Sequence, residues 1–170
     1  QYRERMEQLG RQGTHFARWG SVSSDSSGVT VGTDNVAAGR LAGEHLIAGG
    51  RSRIAFLGHA DDHYPEFAGR YRGLVEALRR AGLGPDPALQ FDALTTEEEG
   101  RSAAQALLDG GARFDAIFAA SDLIAIGAMR ALADAGLTVP EDVAVVGFDD
   151  IPAASLTTPP LTTVMQDIRG

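Results

Sequence analysis

The sequence predicts a doubly wound α/β domain built on a parallel sheet. Apolar strand segments alternate with amphipathic helix segments along most of the 170 residues, which is typical of parallel sheets covered by helices. The strand predicted at Val143–Val146 is apolar without interruption, so both of its faces are expected to be buried. Right-handed crossovers would bring the loops that follow the strands to one edge of the sheet.

The first 33 residues are less regular than the rest of the chain. A helix is predicted over Tyr2–Leu9, where a glycine follows the last apolar position. Thr14–Trp19 and Val29–Val31 are predicted as short strands, with the polar turn-forming loop Ser21–Gly28 between them. One helix and two strands are too few for a free-standing sheet.

From Asp34 the alternation becomes regular. The first helix is predicted on an apolar stripe of Ala38, Leu41, Ala42, His45 and Leu46, in which His45 would be a core histidine with its hydrogen bonds satisfied. The elements that follow are a strand at 53–58, a loop at 59–68, a helix at 69–81, a strand at 89–91, a helix at about 97–108, a strand at 115–119, a helix at about 122–135 and the strand that begins at Val143.

Two helix starts carry capping signals. Thr96 and Glu99 have capping-box spacing, and Ser121 precedes the next helix as a plausible N-cap. A last short strand is predicted at Leu161–Val164, leading out of this sheet with Gln166 just beyond it. The chain contains no fixed-period repeat and no low-complexity tract.

Composition excludes several classes of function. The absence of cysteine excludes disulfides, thiolate catalysis and cysteine-based zinc sites, and the absence of lysine excludes a P-loop. No G-x-S-x-G elbow is present, so we expect no enzyme. A formal net charge of −8 argues against binding of a phosphate backbone by this part of the protein. No apolar run of about 20 residues or signal peptide is visible, which predicts a cytoplasmic protein without membrane contact.

Candidate site residues follow the strands at the expected binding edge of the sheet. They are Tyr64, Glu66, Phe67 and Arg70 after the first strand, Leu94 and Thr95 after the second, Ser121 and Asp122 after the third, and Asp149 and Asp150 after the fourth. Carboxylates, a guanidinium group and a hydroxyl group suit a ligand rich in hydroxyls or ring nitrogens. Because Asp149 and Asp150 are adjacent in extended backbone, only one of them is expected to face that ligand.

Several of these residues also have a structural interpretation. Asp149 could cap a turn, Arg70 could form a surface ion pair, and Ser121 could serve as a helix cap only. Asp122 is expected to stabilise the first helical turn. Two histidines and two aspartates in His59–His63 suggest a metal site, but no further ligand stands at motif spacing, so we interpret this segment as a polar loop at the mouth of a cleft.

Five segments in order resemble the effector-binding domain of the LacI/GalR family of bacterial transcriptional repressors. They are TDNVAAGRLAGEHLIAGGRSRIAFLG, GRYRGLVEAL, DAIFAASDLIAIGAMRALADAG, VPEDVAVVGFDD and PPLTTVMQD. The resemblance is strong over residues 29–170 and weak over 1–28. It implies a type I periplasmic-binding-protein-like fold, with residues 1–33 as a remnant of the N-terminal subdomain and 34–164 as a near-complete C-terminal effector-binding subdomain. Residues 165–170 would return to the N-terminal subdomain, and a helix-turn-helix DNA-binding headpiece would lie outside this chain.

The same resemblance implies how the protein works. A small-molecule effector, by preference a sugar rather than a nucleoside or purine, would bind between two subdomains without a cofactor or metal. Their reorientation would change operator DNA binding by the headpiece. Members of the family usually form homodimers through this domain, and the exposed part of Ile124–Ala135 is a candidate surface.

The family pattern also selects among the candidate ligand-binding residues. It assigns the main polar contacts to Asp149 and Arg70, and places Gln166 near the hinge. Ser121 stands where asparagine is common, and Thr95 stands where many members have a stacking aromatic residue, so stacking from that loop is in doubt. Trp19 could supply a stacking face instead, although a core tryptophan is the simpler interpretation. Two alternatives remain: a periplasmic sugar-binding protein of a transporter, and an enzyme on a similar sheet.

Overall fold

The computed structural model describes residues 29–166, together with residues 5, 8, 9, 12 and 17–20. The chain divides into two compact units, residues 1–34 and 35–170. In the first unit, strand β1 (Ala17–Trp19) pairs in parallel with β2 (Val29–Val31). Residues 5, 8 and 9 are helical, while the rest of the predicted helix and the loop Ser21–Gly28 lie outside the described residues.

The second unit contains one five-stranded parallel sheet in the order β4-β3-β5-β6-β7. Its strands are β3 (Ile54–Leu57), β4 (Gln90–Phe91), β5 (Ala116–Ala119), β6 (Ala144–Asp149) and β7 (Thr162–Met165). The helices are α1 (Asn35–Ala48), α2 (Pro65–Arg80), α3 (Glu97–Asp109) and α4 (Asp122–Asp134), with short 3-10 helices at Pro87–Leu89 and Pro152–Leu156. No helix among the described residues is long and apolar enough to cross a membrane.

The order of the strands confirms the predicted doubly wound topology. From β3 the chain moves outward to β4, then returns past β3 to β5 and continues to β6. Right-handed crossovers in opposite directions place their helices on opposite faces of the sheet. Helix α1 packs on α2, and α3 packs on α4. The reversal between β3 and β5 is the topological switch point, where ligands bind in folds of this kind.

The central strands are buried on both faces, as their unbroken apolar sequences predict. Phe56, Leu57, Ile117 and Phe118 are each at most 1% exposed. In β6, Val145 and Val146 are also buried. The core of the unit is therefore the central sheet with the inner faces of its four helices.

The buried face of α1 differs from the predicted apolar stripe. Leu41 is 57% exposed and His45 is exposed, so the prediction of a core histidine is wrong. Ala42 and Leu46 of the predicted stripe are buried, and the helix also buries Asn35, Gly39 and Gly43. The physical reason is a close helix contact, because a Cβ atom at Gly39 would lie 2.1 Å from the carbonyl oxygen of Arg70. Apolar periodicity does not reveal a packing face made of glycine.

One helix boundary and one strand pairing also differ from the sequence prediction. Helix α2 begins at Pro65 rather than Gly69, because proline is well suited to the first position of a helix. Strand β7 pairs with β6 as an edge strand, with Val146 opposite Thr162, whereas the sequence suggested that it leaves the sheet. The first difference places Glu66 and Phe67 on the first turn of a helix instead of in a loop.

Glycines allow the helices of each pair to approach at backbone distance. A Cβ atom at Gly100 would lie 2.2 Å from the carbonyl oxygen of Ile124, and one at Gly127 would lie 2.0 Å from that of Glu97. The same arrangement occurs between α1 and α2, where a Cβ atom at Gly73 would lie 2.1 Å from the carbonyl oxygen of Val36. Neither pair has room for a side chain at the crossing point.

We expect Gly127→Ala to destabilise the protein by about 1–3 kcal/mol, because the added methyl group must push two helix backbones apart. Gly84→Ala is the matched control, since a Cβ atom at Gly84 would meet nothing within 4 Å. Urea unfolding followed by circular dichroism measures both free energies. Equal stabilities of the two variants would contradict the close backbone contact.

Candidate functional site

Arg70 is a buried cation at the switch point of the sheet. Its side chain belongs to α2, and the residue is only 4% exposed. The Nε atom donates a hydrogen bond to Oδ1 of Asn35 at 2.9 Å, and Nη1 donates to the carbonyl oxygen of Ala120. These two bonds tie α2 to the start of α1 and to the residue that follows β5.

Aromatic rings enclose the guanidinium group. Its carbon atom lies 3.5 Å from the ring centroid of Phe148 and 5.4 Å from that of Phe67. A cation at such distances from an aromatic face is attracted by the ring quadrupole. The rings and hydrogen bonds therefore fix the position of Arg70.

Asp149 stands beside Arg70 at the end of β6. Its side chain is half-buried, and Oδ1 accepts a hydrogen bond from Nε2 of Gln166. The carboxylate interacts electrostatically with Arg70. The structure thus brings together three predicted site residues: Arg70 of α2, Asp149 of β6 and Gln166, which follows β7.

The backbone at Asp149 and Asp150 is not extended, so the predicted alternation of their side chains rests on a wrong geometry. Asp150 has φ 56°, in the left-handed region that aspartate tolerates, and Asp149 has φ 113°, a value that residues other than glycine rarely adopt. Asp150 is exposed, whereas Asp149 is half-buried. Backbone strain of this kind costs of order 1–3 kcal/mol per residue and clusters at functional sites.

Burial perturbs both charges of the central pair. Burial lowers the pKa of Arg70 to about 10, although Asp149, Glu66 and Asp122 act in the opposite direction. Burial likewise raises the pKa of Asp149, while Arg70 and the hydrogen bond from Gln166 lower it. Burial is therefore the largest influence on both groups, and a polar ligand could offer hydrogen bonds to both.

Asp122 holds the strained aspartate turn in place. It is fully buried; Oδ1 accepts a hydrogen bond from the Thr163 hydroxyl at 2.6 Å, and Oδ2 accepts from the backbone N–H of Ile151 at 2.8 Å. Oγ1 of Thr163 in turn accepts a hydrogen bond from the backbone N–H of Asp150 at 3.3 Å. Burial raises the pKa of Asp122, and the two hydrogen bonds that it accepts lower it.

This network explains a glycine in β6. A Cβ atom at Gly147 would lie 2.3 Å from Oδ1 of Asp122, so a side chain there would displace the carboxylate. Asp122 stands on the first turn of α4, as the sequence predicts, but its two hydrogen bonds reach the loop after β6 and strand β7. Its role in the structure is to connect these segments.

The remaining predicted site residues are less central. Ser121 is buried, and its Oγ atom accepts a hydrogen bond from the backbone N–H of Ile124 at 3.4 Å, which is the predicted N-cap. Thr95 is exposed in the loop after β4, next to Thr96, which caps α3 by accepting from the N–H of Glu99. The backbone of Trp19 belongs to β1 in the other unit, and its side chain lies outside the described part of the chain.

A stack of rings adjoins the central pair. The His59 and Tyr64 rings are stacked with centroids 4.2 Å apart, and the Tyr64 and Phe67 rings are stacked at 6.3 Å. Tyr64 and Phe67 were predicted as site residues, whereas His59 was assigned to a polar loop only. The described residues contain no group of three His, Cys, Asp or Glu placed to hold a metal ion.

The chain matches a known domain family and is similar to curated transcriptional regulators. Residues 44–170 match the periplasmic binding protein-like domain family. The HTH-type transcriptional regulator CelR of Thermobifida fusca is 42% identical over 136 residues, which cover 80% of this chain and 40% of CelR. The ribose operon repressor of Escherichia coli is 35% identical over 164 residues, covering 96% of this chain and 49% of the repressor. This chain spans about half the length of these curated relatives.

Solved structures give the same result. A LacI-family regulatory protein from Chloroflexus aggregans superimposes with a TM-score of 0.89 at 35% identity, covering 96% of this chain and 59% of that one. The transcriptional regulator CelR in complex with cellobiose superimposes with a TM-score of 0.83 at 36% identity, covering 95% of this chain and 50% of that one.

We expect Thr163→Val to destabilise the protein by about 1–3 kcal/mol, because it leaves Asp122 without one donor and the Asp150 N–H without an acceptor. Thr162→Val on the same strand is the control, since Thr162 is exposed. Chemical denaturation gives both stabilities, and amide hydrogen exchange at Asp150 should accelerate in Thr163→Val alone. Unchanged stability and exchange in Thr163→Val would show that the network does not hold the turn.

Proposed function

The chain belongs to the periplasmic-binding-protein-like domain family, in the form found in LacI-family transcriptional regulators, and from this premise we propose that it senses a small metabolite for such a regulator. The observation that carries the proposal is the Arg70–Asp149–Gln166 cluster at the carboxyl edge of the sheet. A sugar is the preferred ligand. The solved complex of the relative CelR with cellobiose supports that preference.

The chemistry of the cluster suits a hydroxyl-rich ligand. The Asp149 carboxylate can accept hydrogen bonds from ligand hydroxyls, and the Arg70 guanidinium can donate to ring or hydroxyl oxygens. Nη2 of Arg70 has no hydrogen-bond partner among the described residues. Because the guanidinium is already fixed by Asn35 and Ala120, ligand binding does not have to immobilise it.

Gln166 provides a route from the ligand to the rest of the regulator. Its side chain bonds to Asp149, and it stands directly after β7, where the chain continues toward residues 167–170. A ligand that engages Asp149 therefore competes with or reinforces this bond. In our proposal the ligand favours one orientation of two subdomains, and operator binding by a separate helix-turn-helix domain responds with equal and reciprocal coupling.

The same proposal places the protein in the cytoplasm, where operator DNA is found. The formal net charge of −8 assigns DNA binding to another part of the regulator. The relatives are regulators, and we propose the same non-enzymatic role here.

We expect the parent protein, as the intact gene product, to show a thermal shift with at least one member of a panel of sugars, nucleosides and purines. A ligand present at ~100 times its dissociation constant stabilises by roughly 2.7 kcal/mol. In Asp149→Asn this shift should be lost, because the amide replaces an anionic acceptor with a neutral group that is partly a donor. Differential scanning fluorimetry measures the shift.

Asp150→Asn is the matched control, since Asp150 is the adjacent and exposed carboxylate. It should retain the shift of the parent protein. A full shift in Asp149→Asn would refute the assignment of the site, and a panel without any hit would count against the proposed ligand classes.

We further propose that the regulator is a homodimer through the surface of α4. A groove of about 370 Å³ lies beside this helix, lined by Glu97, Ile126, Met129, Arg130, Ala133, Ala153, Leu156, Thr157 and Thr158. Leu156 is 81% exposed at its border, and an Arg130–Glu97 ion pair of 2.7 Å adds both charges to the same face. A two-fold axis would let each Leu156 enter the groove of the other copy, with opposite charges available on both sides.

We expect the intact protein to sediment as a dimer and Leu156→Asp to shift it toward monomer, because the variant places a charge in an apolar contact. Leu41→Asp is the control, since Leu41 is an exposed leucine on α1, away from this groove. Sedimentation velocity over a range of concentrations gives the assembly state. A parent protein that is strictly monomeric would overturn the proposal.

A further inference from the structure

Carboxylates dominate the loops around the proposed ligand site. Asp61 follows β3, Asp92 follows β4 and Asp150 follows β6, and all three are exposed. Asp61 and Asp92 both reach the same histidine, since His59 Nδ1 lies 3.5 Å from Oδ2 of Asp61 and 3.5 Å from Oδ1 of Asp92. Two loops that are separate in sequence thus present negative charge at one place.

The positive charge of the site is largely compensated. Arg70 is buried and interacts with the carboxylates of Asp149, Glu66 and Asp122. The backbone N–H of His63 donates a hydrogen bond to Oδ1 of Asp61 at 2.8 Å. This bond is the main cause that lowers the pKa of Asp61, so the Asp61 carboxylate is ionised at neutral pH. A ligand that approaches this edge therefore meets more negative than positive charge.

Tyr64 offers a ring surface at the same place. It is 37% exposed, and the His59 ring stacks against it with an interplanar angle of 15°. Nδ1 of His59 lies near the carboxylates of Asp61 and Asp92 but forms no hydrogen bond among the described residues. The tyrosine ring is stacked between His59 and Phe67 and is still accessible, which favours contact with a flat or apolar ring face of a ligand.

We propose that the site selects an uncharged sugar ring, which packs on Tyr64, and rejects phosphorylated sugars through Asp61 and Asp92. This inference rests on the proposed function and specifies its ligand class. The ring C–H groups of a sugar contact the tyrosine face, while its hydroxyls reach Asp149 and Arg70. A phosphate group would bring up to two negative charges close to the exposed carboxylates, and the resulting repulsion is a means of discrimination.

Isothermal titration of the intact protein with matched pairs tests the proposal. The pairs are glucose with glucose 6-phosphate and ribose with ribose 5-phosphate, and cellobiose is added as an uncharged disaccharide. We expect at least one uncharged sugar to bind, and its phosphorylated form to bind at least about tenfold more weakly at low salt. Because the carboxylates are exposed, this ratio should shrink as sodium chloride is raised from 50 to 500 mM.

Two charge variants distinguish repulsion by Asp61 and Asp92 from an effect of the protein's total charge. The double variant Asp61→Asn/Asp92→Asn should reduce the ratio between the two sugar forms at least threefold. Asp109→Asn/Glu141→Gln removes the same total charge from two other exposed positions, the end of α3 and the turn before β6, and should leave the ratio unchanged. Equal effects of the two double variants would overturn the local role of Asp61 and Asp92.

Ring variants test the packing on Tyr64. Tyr64→Leu should weaken the uncharged sugar about tenfold, whereas Tyr64→Phe keeps the ring and should stay within about twofold of the parent protein. Undiminished binding by Tyr64→Leu would overturn the contact with the tyrosine.

The outcome also separates this inference from the proposed function. A phosphorylated sugar that binds as tightly as its uncharged form, with binding lost in Asp149→Asn, would overturn the inference and leave the site in place. Absence of binding by every sugar in the panel would overturn both the inference and the preference for a sugar.

Discussion

The buried guanidinium of Arg70 is the interaction on which the proposed site depends. An isolated charge is too costly to bury, so the fold surrounds it with two hydrogen-bond acceptors, two aromatic rings and nearby carboxylates. These partners come from α1, α2, the residue after β5, the start of α4 and the end of β6. Positioning one cation therefore requires that several elements meet correctly, and the arrangement that results is preorganised for a polar ligand.

The carboxylate partner needs a different kind of support. Asp149 and Asp150 have positive φ angles, and such a backbone persists only when its surroundings specify it. Thr163 and Asp122 support this backbone, because they accept hydrogen bonds from the N–H groups of Asp150 and Ile151, the two residues that follow Asp149. Thr163 and Asp122 are also hydrogen-bonded to each other. A buried acid that carries no proposed ligand contact thus supports the turn that bears Asp149, the proposed ligand contact.

Much of this architecture could be predicted from the sequence because the relevant signals are local. The unbroken apolar strand at Val143–Val146 indicated a sheet covered on both faces, and Thr96 and Ser121 marked helix starts that the structure confirms. The faces of α1 could not be predicted in the same way, because its contact with α2 uses glycines, which carry no hydrophobic signal. The sequence therefore predicted Ala42 and Leu46 correctly but assigned His45 to the core and did not indicate Gly39 and Gly43.

The candidate site could likewise be predicted only where the signal is local. Arg70, Asp149 and Gln166 were predicted because strand ends and family pattern place them at one edge, and the structure brings them together. The positive φ angles and the stacking of His59 on Tyr64 depend on contacts between distant segments, and no local pattern reports them. The ligand contacts of Ser121, Thr95 and Trp19 remain predictions.

The glycine crossings determine how this unit can move. Sliding of packed helices requires side chains that can change rotamer at the contact, and at Gly39, Gly73, Gly100 and Gly127 the backbones themselves are in contact. Neither helix pair has side chains at its crossing point that could rearrange to absorb strain, so we expect each pair to move as one stiff unit. Under the proposed function, a ligand signal would leave this unit as a rigid-body rotation rather than as a rearrangement inside it.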